Sequence, residues 1–142
     1  MYLQNKKGID YMTFQEFKNM VLYHTIVEWN DNEIVLDNGI RIRIEETEQE
    51  CCAGAYGTFS HVKLNAVITN VTERKFEPWE DDDTYGCCAT VKFLHNQNLV
   101  CEANANADAG NGGYYYSIAS FVVDIPKKGQ HYTCHFVSNY DE

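Results

Sequence analysis

Hydrophobic and polar positions along this chain change period once, near residue 24. Before that point Phe14, Phe17 and Val21 recur at helical spacing. Thr13 and Glu16 stand three apart at the head of this stripe, where each side chain can satisfy a free backbone N–H of the other's turn. The spacing predicts a helix over 13–23 with its apolar stripe laid on a sheet. From His24 onward the period is that of strands. Ile26-Val27-Glu28-Trp29, Glu33-Ile34-Val35-Leu36 and Ile40-Arg41-Ile42-Arg43-Ile44 are separated by Asn30-Asp31-Asn32 and by Asp37-Asn38-Gly39. Asn-Gly between two such runs predicts a hairpin with a type I′ turn, which needs positive φ at both central residues. Ile40, Ile42 and Ile44 mark a buried face and Arg41 and Arg43 a wet one.

Further along, Cys51 to Gly57 is rich in small residues and reads as an irregular loop or bulge. Residues 61–76 read as extended, 77–86 as a solvated acidic loop, and Cys87–His95, Leu99–Ala107, Tyr114–Ile125 and His131–Val137 as strands. Repeats and linkers are absent. The organisation predicted is one domain over 1–142: a flexible arm at 1–12, the helix at 13–23 and a β-rich body at 24–137. The fold class is α+β, mainly an antiparallel β-meander sheet with one short N-terminal helix packed on it.

Composition adds that 142 residues, 44% of them hydrophobic, are enough for a core that needs no cofactor to stabilise it. Residues 1–12 lack the pattern of a signal peptide and no run of about twenty apolar residues occurs, so a cytoplasmic location without membrane contact is expected. Charge changes the picture more. The net charge is −10, and residues 77–142 hold ten acids against only Lys92, Lys127 and Lys128. Direct binding to a phosphate backbone needs the opposite sign. A basic protein partner, such as one that itself binds nucleic acid, suits this field. Trp79, ringed by Glu77, Glu80, Asp81, Asp82 and Asp83, has the composition of an interface anchor with electrostatic guidance, or of a plain solvated loop.

The candidate chemistry lies in the cysteines. Cys51-Cys52 and Cys87-Cys88 are adjacent pairs, and with glycines nearby the backbone could kink enough for all four thiolates to hold a structural zinc ion. Neither pair has the C-x₂-C spacing of a zinc ribbon, and the competing reading is small buried hydrophobes. Cys134-His135 are neighbours on a strand and face opposite ways, so they form no dyad. Gly110-Asn111-Gly112-Gly113 lacks the Lys-Ser/Thr of a phosphate loop and reads as a hairpin turn, and Tyr114-Tyr115-Tyr116 as cross-strand packing. No catalytic constellation emerges.

Four stretches carry a resemblance: Glu50-Cys51-Cys52-Ala53 with Gly57; Ala66 to Val71; Val91 to Asn98 with its His95-Asn96-Gln97-Asn98; and Ala105 to Ser117 with its Asp108-Ala109-Gly110-Asn111-Gly112-Gly113-Tyr114-Tyr115. In this order they resemble small phage and prophage proteins of a family of unknown function. The resemblance implies a phage or mobile-element origin and a β-rich single domain, and offers no enzymatic activity to carry over. The family's cysteine pair corresponds to Cys51 and Cys52, while Cys87, Cys88, the helix and the acidic loop stand outside its pattern. The function expected is a phage-encoded binding protein that inhibits a host defence factor, an anti-CRISPR-type inhibitor of a nucleic-acid-guided nuclease. Trp79, Glu80, Asp81, Asp82 and Asp83 would form the contact surface, and Cys51, Cys52, Cys87 and Cys88 the zinc site. The alternatives are a binder of a defence nucleotide signal, using Arg41, Arg43, Arg74 and Lys75, and a structural phage component.

Overall fold

The computed structural model describes residues 3–4 and 10–142. In chain order the elements are β1 (Leu3–Gln4), β2 (Asp10–Tyr11), α1 (Phe14–Val21), β3 (Ile26–Trp29), β4 (Glu33–Leu36), β5 (Arg41–Gln49), β6 (Ala55–Ser60), β7 (Asn70–Val71), β8 (Lys75–Glu80), β9 (Tyr85–His95), β10 (Asn98–Asp108), β11 (Ser117–Ile125) and β12 (Gln130–Ser138). The helix begins as its sequence requires. Glu16 N–H donates to Thr13 Oγ1 at 3.1 Å and Thr13 N–H donates to Glu16 Oε1 at 2.9 Å, a complete capping box. Phe14, Phe17 and Val21 are its buried stripe. The arm expected at 1–12 falls largely outside the described residues, but Asp10–Tyr11 runs parallel to β12 and Met12 N–H donates to Thr133 O. These last residues are docked on the sheet.

The strands form two sheets. One is ordered β1-β2-β12-β11-β5-β4-β3. The other is ordered β6-β10-β9-β7, with β8 sharing the β7 edge of β9. The mostly antiparallel β architecture with one helix is as the periodicity predicts. The single meander is not: β3-β4-β5 and β8-β9-β10 are local meanders, whereas β5 pairs with β11 and β6 with β10 across long stretches of chain. Alternation of polarity tells which face of a strand is buried but not which strand lies beside it.

The β4–β5 hairpin forms in the predicted place, with a different turn. Only Gly39 has positive φ (87°); Leu36 and Ile40 are joined by Leu36 N–H to Ile40 O, and Gly39 N–H donates back to Leu36 O. This is a three-residue loop with a left-handed glycine closing it, the next most common hairpin connection after the two-residue loops. Ile40, Ile42 and Ile44 are buried as predicted.

The sheets face each other across one core. The inner face of the smaller sheet is lined with small residues: Ala55 and Gly57 on β6, Cys87 and Ala89 on β9, Ala103, Ala105 and Ala107 on β10. Against them lie large side chains of the other sheet and the helix. Phe17, Phe121 and Phe136 form a continuous stack, with ring centroids 4.4 Å and 4.3 Å apart, and Phe93 meets Phe17 edge-on at 6.2 Å. Gly57 is a point of close approach between the sheets. A Cβ there would lie 2.5 Å from Ile44 Cγ2 and 2.8 Å from Asn104 O. Gly57→Ala should therefore destabilise the fold by about 1–3 kcal/mol through overpacking. Urea unfolding checks this: the midpoint should fall with an unchanged slope.

Candidate functional site

Cys51 and Cys52 occupy a tight turn closed by Ala53 N–H to Glu50 O at 2.9 Å, with Cys51 at φ 46°. Both thiols are exposed. Asn111 N–H donates to Cys52 Sγ at 3.1 Å, and Gly110 must be glycine here: its φ is 70°, and a Cβ would fall 2.9 Å from that sulfur. The other pair lies on β9, where successive side chains take opposite faces. Cys87 points into the core opposite Ala107, while Cys88 is exposed and its Sγ donates to Asn106 Oδ1 at 3.3 Å. The expected kink at Gly86 does not occur, because Gly86 continues the β9 ladder opposite Asp108. Among the described residues no three of His, Cys, Asp and Glu are grouped to hold a metal ion. The four cysteines proposed for zinc are thus not brought together as one set. Cys101 and Cys134 are buried, and burial pushes both thiols up to about 12.

Two of the four stretches that carry the resemblance, 50–57 and 105–117, do meet. Glu50 N–H donates to Tyr116 O, Gly54 N–H to Asp108 Oδ1 and Asp108 N–H to Gly54 O. Ser117 Oγ lies 2.9 Å from Gly54 O and 2.8 Å from Asp108 O, its single proton shared between the two carbonyls, and Asn139 Oδ1 joins the group by accepting Ser117 N–H. This junction explains the glycine run. Residues 111–113 form a short 3₁₀ turn that carries the chain from β10 in one sheet to β11 in the other, so the run is a crossover and not the expected hairpin turn. Tyr114, Tyr115 and Tyr116 lie on this connection and precede the strand, with Tyr114 largely exposed, so cross-strand packing is not their role.

The acidic stretch expected as a loop is a hairpin. Lys75–Glu80 pairs with β9 from Lys75 opposite Thr90 to Glu80 opposite Tyr85. Aromatic Phe76 and Trp79 supply the strand propensity that the acids obscure. Asp81 shapes the tip: its Oδ1 accepts the N–H groups of Thr84 and Asp83, and these bonds hold its carboxyl below the usual range. Asp82 and Asp83 are left exposed, as is Glu80. Trp79 is fixed from two sides. Its indole N–H donates to Asn106 Oδ1 at 2.7 Å and its ring covers Gly86, where a Cβ would lie 2.6 Å from Cζ2.

Beside this hairpin is a groove of about 540 Å³, walled by Trp79, Tyr85 and Tyr140 and edged by Glu80, Asp141 and Glu142. The Tyr85 and Tyr140 rings lie 6.4 Å apart, and Tyr85 Oη accepts from Asn139 Nδ2. Asp141 anchors the far wall by accepting from His135 Nε2 at 2.8 Å and from Ser138 N–H at 2.7 Å. Sequence reasoning singled out Trp79 and Glu80 but missed Tyr85, Tyr140 and Asp141. The Tyr140-Asp141-Glu142 run repeats the aromatic-acid composition of the hairpin and was the available signal.

The clustered cations considered for a nucleotide ligand are already engaged. Arg43 bonds to Asp124 and Glu45, which raise its pKa further, and Arg41 bonds to Glu33. Arg74 lies over the rings of Phe14 and Phe76 and donates to His135 O, and Lys75 faces Glu77.

Two measurements check this geometry. Thiol titration of the native protein should show three fast sulfhydryls (Cys51, Cys52 and Cys88), the other three reacting only in denaturant. The second concerns Asp141. Burial raises its carboxyl, but the His135 hydrogen bond, the Ser138 N–H and the charges of His135 and Arg74 together bring it below the usual value. A folded value below the unfolded one, about 3.9, means that the stabilisation is fully present above about pH 4. It is lost as pH falls through the folded value. Asp141→Asn should therefore unfold at lower urea than the parent at pH 6, and the gap should close in acid.

Among the described residues no helix is long and apolar enough to cross a membrane. No curated protein and no solved structure matches the chain. The stretch 19–122 matches a family profile and contains both halves of the 50–57 and 105–117 junction and the whole acidic hairpin, though not Tyr140 or Asp141. Since that stretch is well over half of its length, the chain belongs to the family described as a domain of unknown function, DUF7448.

Proposed function

We propose that this chain is a non-enzymatic binding protein that docks its acidic hairpin on a basic, nucleic-acid-binding surface of a host defence protein. The phage origin implied by the motifs, together with the charge, makes a CRISPR-type guided nuclease the target class. One observation carries the reading. Asp81 spends its carboxylate on the hairpin turn and so presents Asp82, Asp83 and Glu80 outward from a paired, rigid β8–β9 support. Carboxylates held out on such a support complement a cationic channel without the ordering cost of a floppy loop. The nucleotide-signal alternative is less favoured because Arg41, Arg43, Arg74 and Lys75 already have partners, and a phosphate would have to displace them.

The test adds the purified protein to guide-loaded nucleases in a DNA-cleavage assay and follows association by surface binding. Inhibition is expected, with the double variant Asp82→Asn, Asp83→Asn associating about tenfold more slowly at low salt. That difference should shrink near 0.5 M salt as the charges are screened. Equal association rates for parent and double variant would remove the hairpin as the docking element. Absence of inhibition across the nucleases would remove the target class.

A further inference from the structure

The groove beside the hairpin has a chemistry of its own. Its walls are aromatic, with Trp79, Tyr85 and Tyr140 contributing rings, and its edge carries Glu80, Asp141 and Glu142. Among the described residues no lysine or arginine lines it. Glu80 and Glu142 have no ion pair among the described residues, whereas Asp141 is tied to His135. Tyr140 keeps 63% of its surface exposed although it borders a concave site. Trp79 and Tyr85 are by contrast held in place, the first through Asn106 and the second through Asn139. The site therefore has two fixed aromatic walls and one open aromatic flank.

From this geometry we infer that the groove is a receptor for an arginine side chain presented by an extended segment of the basic partner. The inference rests on the reading of the chain as a binder of basic proteins and names the contact that would make it specific. A flat guanidinium suits the site better than an ammonium. It stacks on aromatic faces, carries a delocalised charge that is easier to desolvate, and can donate to a carboxylate while stacked. Glu80 is the acceptor on the hairpin side and Glu142 on the opposite side. The volume lies within the range of ordinary ligand clefts and exceeds what one guanidinium fills, leaving room for the flanking backbone of a peptide.

The test uses full-length protein carrying Trp29→Phe, so that Trp79 is the sole tryptophan and its fluorescence reports the groove. The probes are acetylated, amidated tri-arginine and tri-lysine peptides. Tri-arginine should perturb Trp79 emission saturably and bind at least about threefold tighter than tri-lysine. Tyr140→Ala and Glu80→Gln should each weaken tri-arginine binding by at least about threefold, and Tyr140→Phe should retain it, because the ring and not the hydroxyl does the stacking. Unchanged binding in Tyr140→Ala, or equal binding of the two peptides, would overturn the proposal. The hairpin reading fails separately. If Asp82→Asn, Asp83→Asn slows docking on the nuclease while Tyr140→Ala leaves tri-arginine binding intact, the groove falls and the acidic hairpin stands. If Tyr140→Ala weakens the peptide and the double variant docks normally, the reverse holds.

Discussion

The Phe17–Phe121–Phe136 stack depends on the small side chains that line much of the sheet opposite it. Ala55, Gly57, Ala89, Ala103, Ala105 and Ala107 thin the inner face of the smaller sheet around its larger Phe59, Val91 and Phe93, and the aromatic layer packs into the same core. Protein interiors pack at crystal-like density, so the two choices are linked. Larger residues on β10 would push the sheets apart, and smaller ones at Phe121 would leave a void. The helix enters the same layer through Phe17, which touches both Phe121 of one sheet and Phe93 of the other. The short α1 is thereby held by tertiary contact, as an eight-residue helix must be.

A close-packed pair of sheets also fixes what the ends can do. With the inner faces committed, the chain must cross between sheets at the ends, and these crossings hold the residues the sequence marks out. The turn at Cys51-Cys52 carries β5 of the large sheet into β6 of the small one, and Gly110 to Tyr116 carries β10 back to β11. The two crossings lie side by side, joined through Gly54, Asp108 and Ser117. Gly110 has its positive φ and missing side chain because the Cys52 turn occupies the space. Segments some sixty residues apart in the sequence are thus parts of one structural joint, and their shared motif has a structural reason before any functional one is invoked.

Much of this was legible in the chain and some was not, for definite reasons. Thr13 and Glu16 announce the helix because a capping box is a local interaction, and Ile40, Ile42 and Ile44 announce a half-buried strand because burial of one face leaves a period of two. The type of the Asn38-Gly39 turn was misread, since one versus two left-handed residues depends on the register of the flanking strands. Strand β8 was hidden among acids whose charges face solvent and report nothing about the backbone bonds beneath. Pairing of β5 with β11 and of β6 with β10 leaves no local trace at all. The same is true of the groove: Trp79 was visible as an anchor, but the rings of Tyr85 and Tyr140 reach it only through the fold. Adjacency makes the cysteine pairs look like a set in the sequence, whereas strand geometry turns Cys87 into the core and leaves Cys88 exposed on the other face.

The distribution of charge, and not its total, is what the proposed function rests on. A net charge of −10 by itself keeps a protein soluble and self-repelling. Some acids of the large sheet are paired, whereas Glu28, Glu46 and Glu48 have no ion pair among the described residues. Arg43 bridges Asp124 and Glu45, Arg41 takes Glu33, and His24 and His131 meet Asp37 and Asp124. Among the described residues the β8–β9 hairpin has no such compensation at its tip, and the aromatic groove lies directly beside it. Screening confines each exposed carboxylate to a reach of about 10 Å in moderate salt, so the paired charges of the large sheet contribute little to the field at a distance. In the proposed reading, a basic surface meets carboxylates and rings together at the hairpin end. Steering and short-range recognition then fall on the same few residues, which is the arrangement by which an electrostatic encounter becomes a specific complex.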